Sequence, residues 1–243
     1  MFFGRLSIWT GVRALQLLRK AAGTLGGDCW LCGAASPHAL ACAPCAQALP
    51  RATAACPRCA LPMPTPDLCG PCLRRPPPFE SSIAAFDYRF PVDRLVQRFK
   101  FSGDLAAGRW LALQLAQRAV HAPRPQLLVA PPLTRARLTS RGFNQALEIA
   151  RVVGSELGVP TVPRALARVR ETAPQPGLGG RARRENLRDA FRCSLALEGR
   201  DVAIVDDVMT TGATAAAVAR ALRSAGAGRV SVWVVARTPE PRR

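Results

Sequence analysis

Residues 201–214 read DVAIVDDVMTTGAT. An apolar run ends in two adjacent carboxylates, Asp206 and Asp207. Thr210, Thr211, Gly212 and Thr214 follow, and an Ala-rich segment begins. A helix N-terminus offers backbone N–H groups and the positive end of its dipole, so a loop entering one binds anions. Gly212 permits a positive φ or a close backbone approach, and the threonine hydroxyls add donors to phosphate oxygens. Carboxylates just before such a loop suit ribose hydroxyls, as hydrogen-bond acceptors, or a hydrated Mg²⁺. Together these residues describe a site for a sugar phosphate. A P-loop and a G-x-G-x-x-G dinucleotide turn are both missing from the sequence.

A second kind of chemistry lies upstream. Eight of nine cysteines form four C-x-x-C pairs: Cys29–Cys32, Cys42–Cys45, Cys56–Cys59 and Cys69–Cys72. Nine residues separate Cys32 from Cys42 and nine separate Cys59 from Cys69, so a four-cysteine unit is repeated. Each knuckle places two thiolates at one edge of a tetrahedron, and a second knuckle closes a structural zinc site. The segment is too short and Pro-rich to build a core of its own, so metal must supply folding energy. Disulfides are the competing chemistry, but the spacing is regular and no export signal is recognisable. The simplest assignment gives one zinc to Cys29, Cys32, Cys42 and Cys45, and a second to Cys56, Cys59, Cys69 and Cys72. Interleaved pairing is the alternative. Cys193 stands apart and reads as a packed residue.

The elements that must position these groups can be read from periodicity. RRPPPFE (74–80) is a stiff linker. Beyond it, strands are expected over 83–90, 126–133, 164–170, from 202 and over 229–237. Helices are expected over 92–103, 105–120, 144–158 with Asn144 as N-cap and Gly158 as stop, and 213–227. Residues 171–184 form a Pro/Gly/Arg-rich loop. Strands alternating with helices predict an α/β domain with a mostly parallel sheet, whose ligands sit beyond the carboxyl ends of the strands. The expected organisation is a helical extension over 1–28, a double zinc ribbon over 29–73, the linker 74–80 and the α/β domain over 81–243.

The chain has 243 residues and a formal charge of +18. A strongly basic chain favours polyanionic partners. Only Lys20 and Lys100 are lysines, so a compositional bias toward arginine explains the charge equally well. No apolar run is long enough to span a bilayer, and residues 1–20 lack the features of a signal peptide. A cytoplasmic location is expected.

VAIVDDVMTTGAT resembles the phosphoribosyl pyrophosphate (PRPP) motif of type I phosphoribosyltransferases. LVQRFKFSGDLAAG (95–108), RGFNQA (141–146) and TAPQPGLGGRARRENLRDAF (172–191) further resemble the competence protein F (ComF) family. That resemblance spans about Cys29 to Arg237 and implies a double zinc ribbon ahead of a phosphoribosyltransferase-like domain. It implies that Asp206 and Asp207 contact the ribose of PRPP. Met209, Thr210, Thr211, Gly212, Ala213 and Thr214 would hold the 5′-phosphate. Pro131, Pro132 and Leu133 occupy the diphosphate loop. Arg135, Arg137 and Arg141 are bidentate donors available to a diphosphate, and Arg-rich 181–188 lies where a hood closes. Lys100 either joins the diphosphate site or snorkels from its helix end. Asp206, Asp207 and Arg141 are the catalytic candidates.

Two functions follow from the resemblance. One is an enzyme that binds Mg–PRPP and transfers phosphoribose through an oxocarbenium-like centre, by positioning and by electrostatic stabilisation of the leaving diphosphate. No base-recognition pocket is visible in the sequence. The other is a zinc protein that binds single-stranded DNA, with the phosphoribosyl site a ligand switch. A role in DNA uptake and natural transformation, with other uptake proteins as partners, is what the family implies. The low aromatic content speaks against single-strand binding, which uses stacking platforms.

Overall fold

The computed structural model describes residues 27–36, 40–169 and 189–239. The helical extension expected over 1–28 lies outside them except for Gly27 and Asp28, which form a strand. The Arg-rich stretch 181–188 lies outside the described residues altogether. The chain divides into two compact units, Met1–Leu49 and Pro50–Arg243.

In the first unit β1 (Gly27–Asp28) pairs antiparallel with β2 (Ala35–Ser36), framing the first knuckle. The second knuckle opens α1 (Ala43–Gln47), with Cys42 as N-cap and proline in its first turn. The second unit begins with the same plan, its α2 (Gly70–Arg74) opening from Cys69, again with proline in the first turn. Proline suits this place because its missing N–H would have no helical partner there. The sequence repeat is therefore a structural repeat.

The rest of the second unit is an α/β domain. Its sheet has the order β3-β8-β7-β4 and every pairing is parallel. The strands are β3 (Ser81–Asp87), β4 (Leu127–Val129), β7 (Asp201–Met209) and β8 (Arg229–Arg237). β5 (Leu166–Arg168) and β6 (Phe191–Cys193) form a separate antiparallel pair. The central strands are buried on both faces, as parallel strands between helical layers must be. Val202 to Val205 are no more than 1% exposed. One face packs Val202, Ile204, Val230, Val232 and Val234 against Val218 and Leu222 of α7 (Ala213–Ser224). The other is covered by α4 (Leu105–Ala119) and α6 (Gln145–Leu157).

Helix boundaries follow local chemistry. Asp104 caps α4 by accepting from Ala107 N, and Asn144 caps α6 by accepting from Leu147 N at 3.3 Å. α6 stops at Gly158, whose φ is +63°. A helix not expected from the sequence, α5 (Arg135–Arg141), starts at Thr134 and ends at Gly142, φ +76°. Its arginines carry no apolar periodicity, and its caps alone mark it.

One close approach sets the site from a distance. α3 (Val92–Phe101) lies on α4, and the Phe99 ring occupies the space a Cβ at Gly108 would need. Phe99 is 1% exposed and also meets the Phe143 ring, centroids 5.3 Å apart. Its neighbour Lys100 is thereby held in place. Gly108→Val should overpack this contact and cost about 1–3 kcal/mol. Urea unfolding checks the loss, and a Gly108→Ala variant should fall between the two.

Candidate functional site

The carboxyl ends of β7, β4 and β8 meet at one edge of the sheet. Past the last β4–β7 pair, Val129 with Ile204, two further residues bring the two chains to Pro131 and Asp206. The expected diphosphate loop and the acid pair are thus neighbours. Asn144 Nδ2 donates to Pro131 O at 3.0 Å, tying that loop to the start of α6.

Successive side chains leave a strand on opposite faces, so Asp206 and Asp207 point to different helical layers. Asp207 is 9% exposed and forms an ion pair with Lys100, Nζ to Oδ2 3.0 Å. Asp206 is half-buried and accepts from Asp207 N at 2.8 Å. Burial, and next the charge of Asp207, push the Asp206 carboxyl up to about 7, against the Asp207 N–H, Lys100 and Arg137. Lys100 was the ambiguous lysine of the sequence. The structure brings it to the acid pair.

Arg141, at the last position of α5, donates to Gln145 Oε1 at 3.0 Å and lies over the Phe101 ring at 5.2 Å. Burial lowers its pKa, the charge of Asp207 raises it and that of Arg137 lowers it. Lys100 is therefore in contact with the acid pair, and the charges of Arg137 and Arg141 bear on it from α5. Arg135 is exposed at the first position of α5. Gln145 is 1% exposed, and its Nε2 has no hydrogen-bond partner among the described residues.

After Met209 the chain turns through Thr210 and Thr211, both exposed, into α7. Gly212 is the N-cap with φ +73° and has no side chain to cap that end. A Cβ there would meet only Met209 Sδ at 3.6 Å. The requirement for glycine is thus conformational, since a left-handed residue costs about 1–2 kcal/mol with a Cβ. Thr211 Oγ1 accepts from Ala213 N at 3.4 Å. Met209 and Ala213 bury their side chains, so they offer backbone only. No acidic residue lies in the first turn of α7, so its dipole and the amides after Ala213 suit an anion.

Sequence reasoning missed Arg237, the last residue of β8. Its side chain is 7% exposed and donates to the carbonyls of Cys59, Met209, Thr210 and Thr238. A charge ending an otherwise apolar strand was the available signal. A groove of about 320 Å³ lined by Arg118, His121, Arg124, Asp201 and Arg229 opens where the strands begin. It belongs to the opposite edge of the sheet.

The cysteines resolve into two groups without interleaving. Cys29, Cys32, Cys42 and Cys45 form one, and Cys56, Cys59, Cys69 and Cys72 the other, with sulfurs in each within 4.8 Å of one another. Cys32 and Cys42 sulfurs are 3.6 Å apart and Cys59 and Cys69 sulfurs 3.5 Å. A tetrahedral metal with metal–sulfur bonds of about 2.3 Å requires edges of about 3.8 Å, so both groups fit one. Leu31 N donates to Cys29 Sγ and Cys69 N to Cys56 Sγ, each at 3.4 Å. Hydrogen bonding with Cys42 pushes the Cys45 thiol up to about 12, and burial pushes Cys59 up to about 11. One thiol in each group is drawn the other way, Cys29 to about 6 by hydrogen bonding from the Cys42 backbone and Cys56, against its burial, to about 7 by backbone hydrogen bonds, and a cation among the four thiolates would lower them all. Cys193 is half-buried against the sheet core and belongs to neither group.

Residues 124–243 match the phosphoribosyl transferase domain family. Over 224 residues the chain is 39% identical to DNA utilization protein YhgH of Salmonella typhi, covering 88% of this chain and 99% of that one. It is 34% identical over 178 residues to Competence protein F of Haemophilus influenzae, covering 70% and 78%. Among solved structures, glutamine PRPP amidotransferase from B. subtilis is 23% identical, with a TM-score of 0.39 over 54% of this chain and 26% of that one. The chain belongs to the competence protein F family, with a phosphoribosyltransferase-like domain behind two four-cysteine ribbons.

The raised Asp206 carboxyl has a measurable consequence. A group that binds protons more tightly folded than unfolded makes stability fall as pH rises between its two pKa values. For Asp206 that window runs from 3.8 to about 7. Asp206→Asn removes the penalty. The variant should match the wild-type melting temperature at about pH 4 and exceed it at about pH 8. Parallel melts at both ends check this, and an equal gap at both would show an ordinary carboxyl.

Proposed function

We propose that this member of the competence protein F family binds PRPP, or a closely similar sugar phosphate, at the carboxyl edge of its sheet. One observation carries the reading: an acid pair with Lys100 in contact with Asp207 stands immediately before a helix whose N-cap, Gly212, has no side chain to occupy its amides. The 5′-phosphate sits on Thr210, Thr211, Gly212, Ala213 and Thr214, held by backbone amides and threonine hydroxyls. The ribose hydroxyls donate to Asp206 and Asp207. The diphosphate lies along Pro132 and Leu133, with Arg141 as a bidentate donor. Lys100 turns from Asp207 to a diphosphate oxygen as the ligand takes over the carboxylate. An oxygen ligand there also offers an acceptor to the unpaired Gln145 Nε2.

Mg²⁺ bound with the ligand supplies further neutralisation of the leaving diphosphate, and the acid pair is the donor set suited to it. Where the site turns over, the protein's part is to hold ribose and diphosphate apart as the bond between them breaks, with Arg141 and Lys100 stabilising the charge that develops. Asp206, Asp207 and Arg141 are then the catalytic residues.

Both cysteine groups are proposed to hold structural zinc, since all-thiolate tetrahedra with no open position suit that ion. The names of the relatives, DNA utilization protein and Competence protein F, support a place in DNA uptake or use. Work on incoming DNA inside the cell, alongside other uptake proteins, accords with a cytoplasmic location. No helix among the described residues is long and apolar enough to cross a membrane. A second reading, single-stranded DNA binding controlled by the sugar-phosphate ligand, is favoured by Phe101. Its ring is 72% exposed at the rim of the site beneath Arg141, an arrangement suited to base stacking.

Calorimetric titration with Mg–PRPP is the direct test. Asp207→Asn and Lys100→Met should each weaken binding by at least about tenfold, because hydrogen bonds to charged groups contribute about 1.5–3 kcal/mol. Asp207→Ala should also lower the melting temperature by stranding Lys100, and adding Lys100→Met should restore part of it. Wild-type protein that takes up no PRPP would overturn the reading. Metal analysis after dialysis should return two zinc ions per chain, against none for a disulfide-linked chain.

A further inference from the structure

The second cysteine group is not an appendage to the α/β domain; its first knuckle is fastened to the sheet. Ser82 of β3 is 7% exposed, and its N donates to Pro57 O at 3.0 Å and its Oγ to Arg58 O at 2.7 Å. Ala60, closing the knuckle with φ +53°, is buried in the same core as Val232 and Ile204. The next carbonyl, that of Cys59, accepts from Arg237 Nε at 2.9 Å.

Arg237 looks two ways. While Nε holds the knuckle, Nη1 donates to Met209 O at 3.0 Å, to Thr210 O and to Thr238 O at 2.7 Å. Met209 and Thr210 are the residues that lead from β7 into the phosphate loop. One buried, planar cation thus joins the carbonyl of a cysteine in the metal cluster to the backbone that sets where that loop begins. A guanidinium can do this because its donors are fixed in a fork, whereas an ammonium is a single point.

We propose that Arg237 is a positioning residue through which metal in the Cys56, Cys59, Cys69 and Cys72 cluster holds the phosphate loop in its binding conformation. The proposal rests on the loop being the phosphate site. With metal bound, the Cys59 carbonyl is fixed because its own side chain is a ligand. Without it, the knuckle loses its closure and Arg237 loses one of its anchors. The loop then gains freedom it must give up on binding, and affinity falls. The first cluster belongs to the other compact unit and is no part of this connection, so its metal serves as the control and should be neutral for binding.

The test uses the full chain and three variants: Arg237→Met, Cys72→Ser in the second cluster and Cys32→Ser in the first. Three quantities are measured: zinc per chain, hydrogen exchange at the 210–214 amides without ligand, and Mg–PRPP affinity. Arg237→Met should keep both metal ions, yet speed loop exchange and weaken PRPP binding, each by about tenfold, the scale of an unmet buried hydrogen bond. Cys72→Ser should lose one ion and do the same. Cys32→Ser should lose one ion and leave exchange and affinity as in wild type. Combining Arg237→Met with Cys72→Ser should add little to either, because both cut one connection. Wild-type loop exchange in Cys72→Ser, or additive losses in the double variant, would overturn the proposal. If Cys72→Ser does not fold, Arg237→Met decides alone, and unchanged loop exchange in it overturns the proposal. Exchange coupled as expected, in a protein that takes up no PRPP, would uphold the clamp and overturn the sugar-phosphate reading instead.

Discussion

β7 is buried on both faces, and that burial constrains everything around it. A strand between two apolar layers cannot carry charge along its length, since an unpaired charge there costs several kcal/mol. Polar chemistry is therefore kept to its ends, and Asp206 and Asp207 emerge toward the carboxyl one. Even there the acids are not left to water. Lys100 meets Asp207, and Asp206 holds its proton more tightly than a free carboxyl. The helices are arranged to deliver those partners. α3 is seated by Phe99 against Gly108 and so presents Lys100, while α5 ends with Arg141 beside Gln145.

The ribbons follow a different physical rule. Neither has enough apolar residues to form a core of its own, and each gathers four sulfurs where that core would be. The two share spacing, proline placement and a helix begun at a cysteine. They differ in what surrounds them. The second belongs to the same compact unit as the α/β domain and contributes Ala60 to its core. One sequence repeat thus serves two structural purposes.

Much of this was legible in the sequence. The helices over Leu105–Ala119 and Gln145–Leu157 announced themselves by apolar spacing, the second also by Asn144 and Gly158. β7 and β8 were plain as apolar runs, and the acid pair with its threonine loop marked the residues on which the proposed site rests. α5 was not legible, because RARLTSR has no apolar face to report. β6, three residues long, was too short for a pattern. The pairing of Lys100 with Asp207 joins residues more than a hundred positions apart, and only the fold reveals it. The contacts of Arg237 were hidden for the same reason, since its partners are carbonyls, which leave no trace in residue identity.

The ion pair between Lys100 and Asp207 bears on how the proposed site would receive an anion. An anion arriving there does not meet a bare carboxylate that would repel it. It meets a carboxylate already carrying its own counter-ion, largely stripped of water when the chain folded. On the proposed reading, occupation is a swap of partners, with the ammonium passing from protein acid to ligand phosphate. Much of the dehydration that slows and weakens the capture of small anions has already taken place before the ligand arrives.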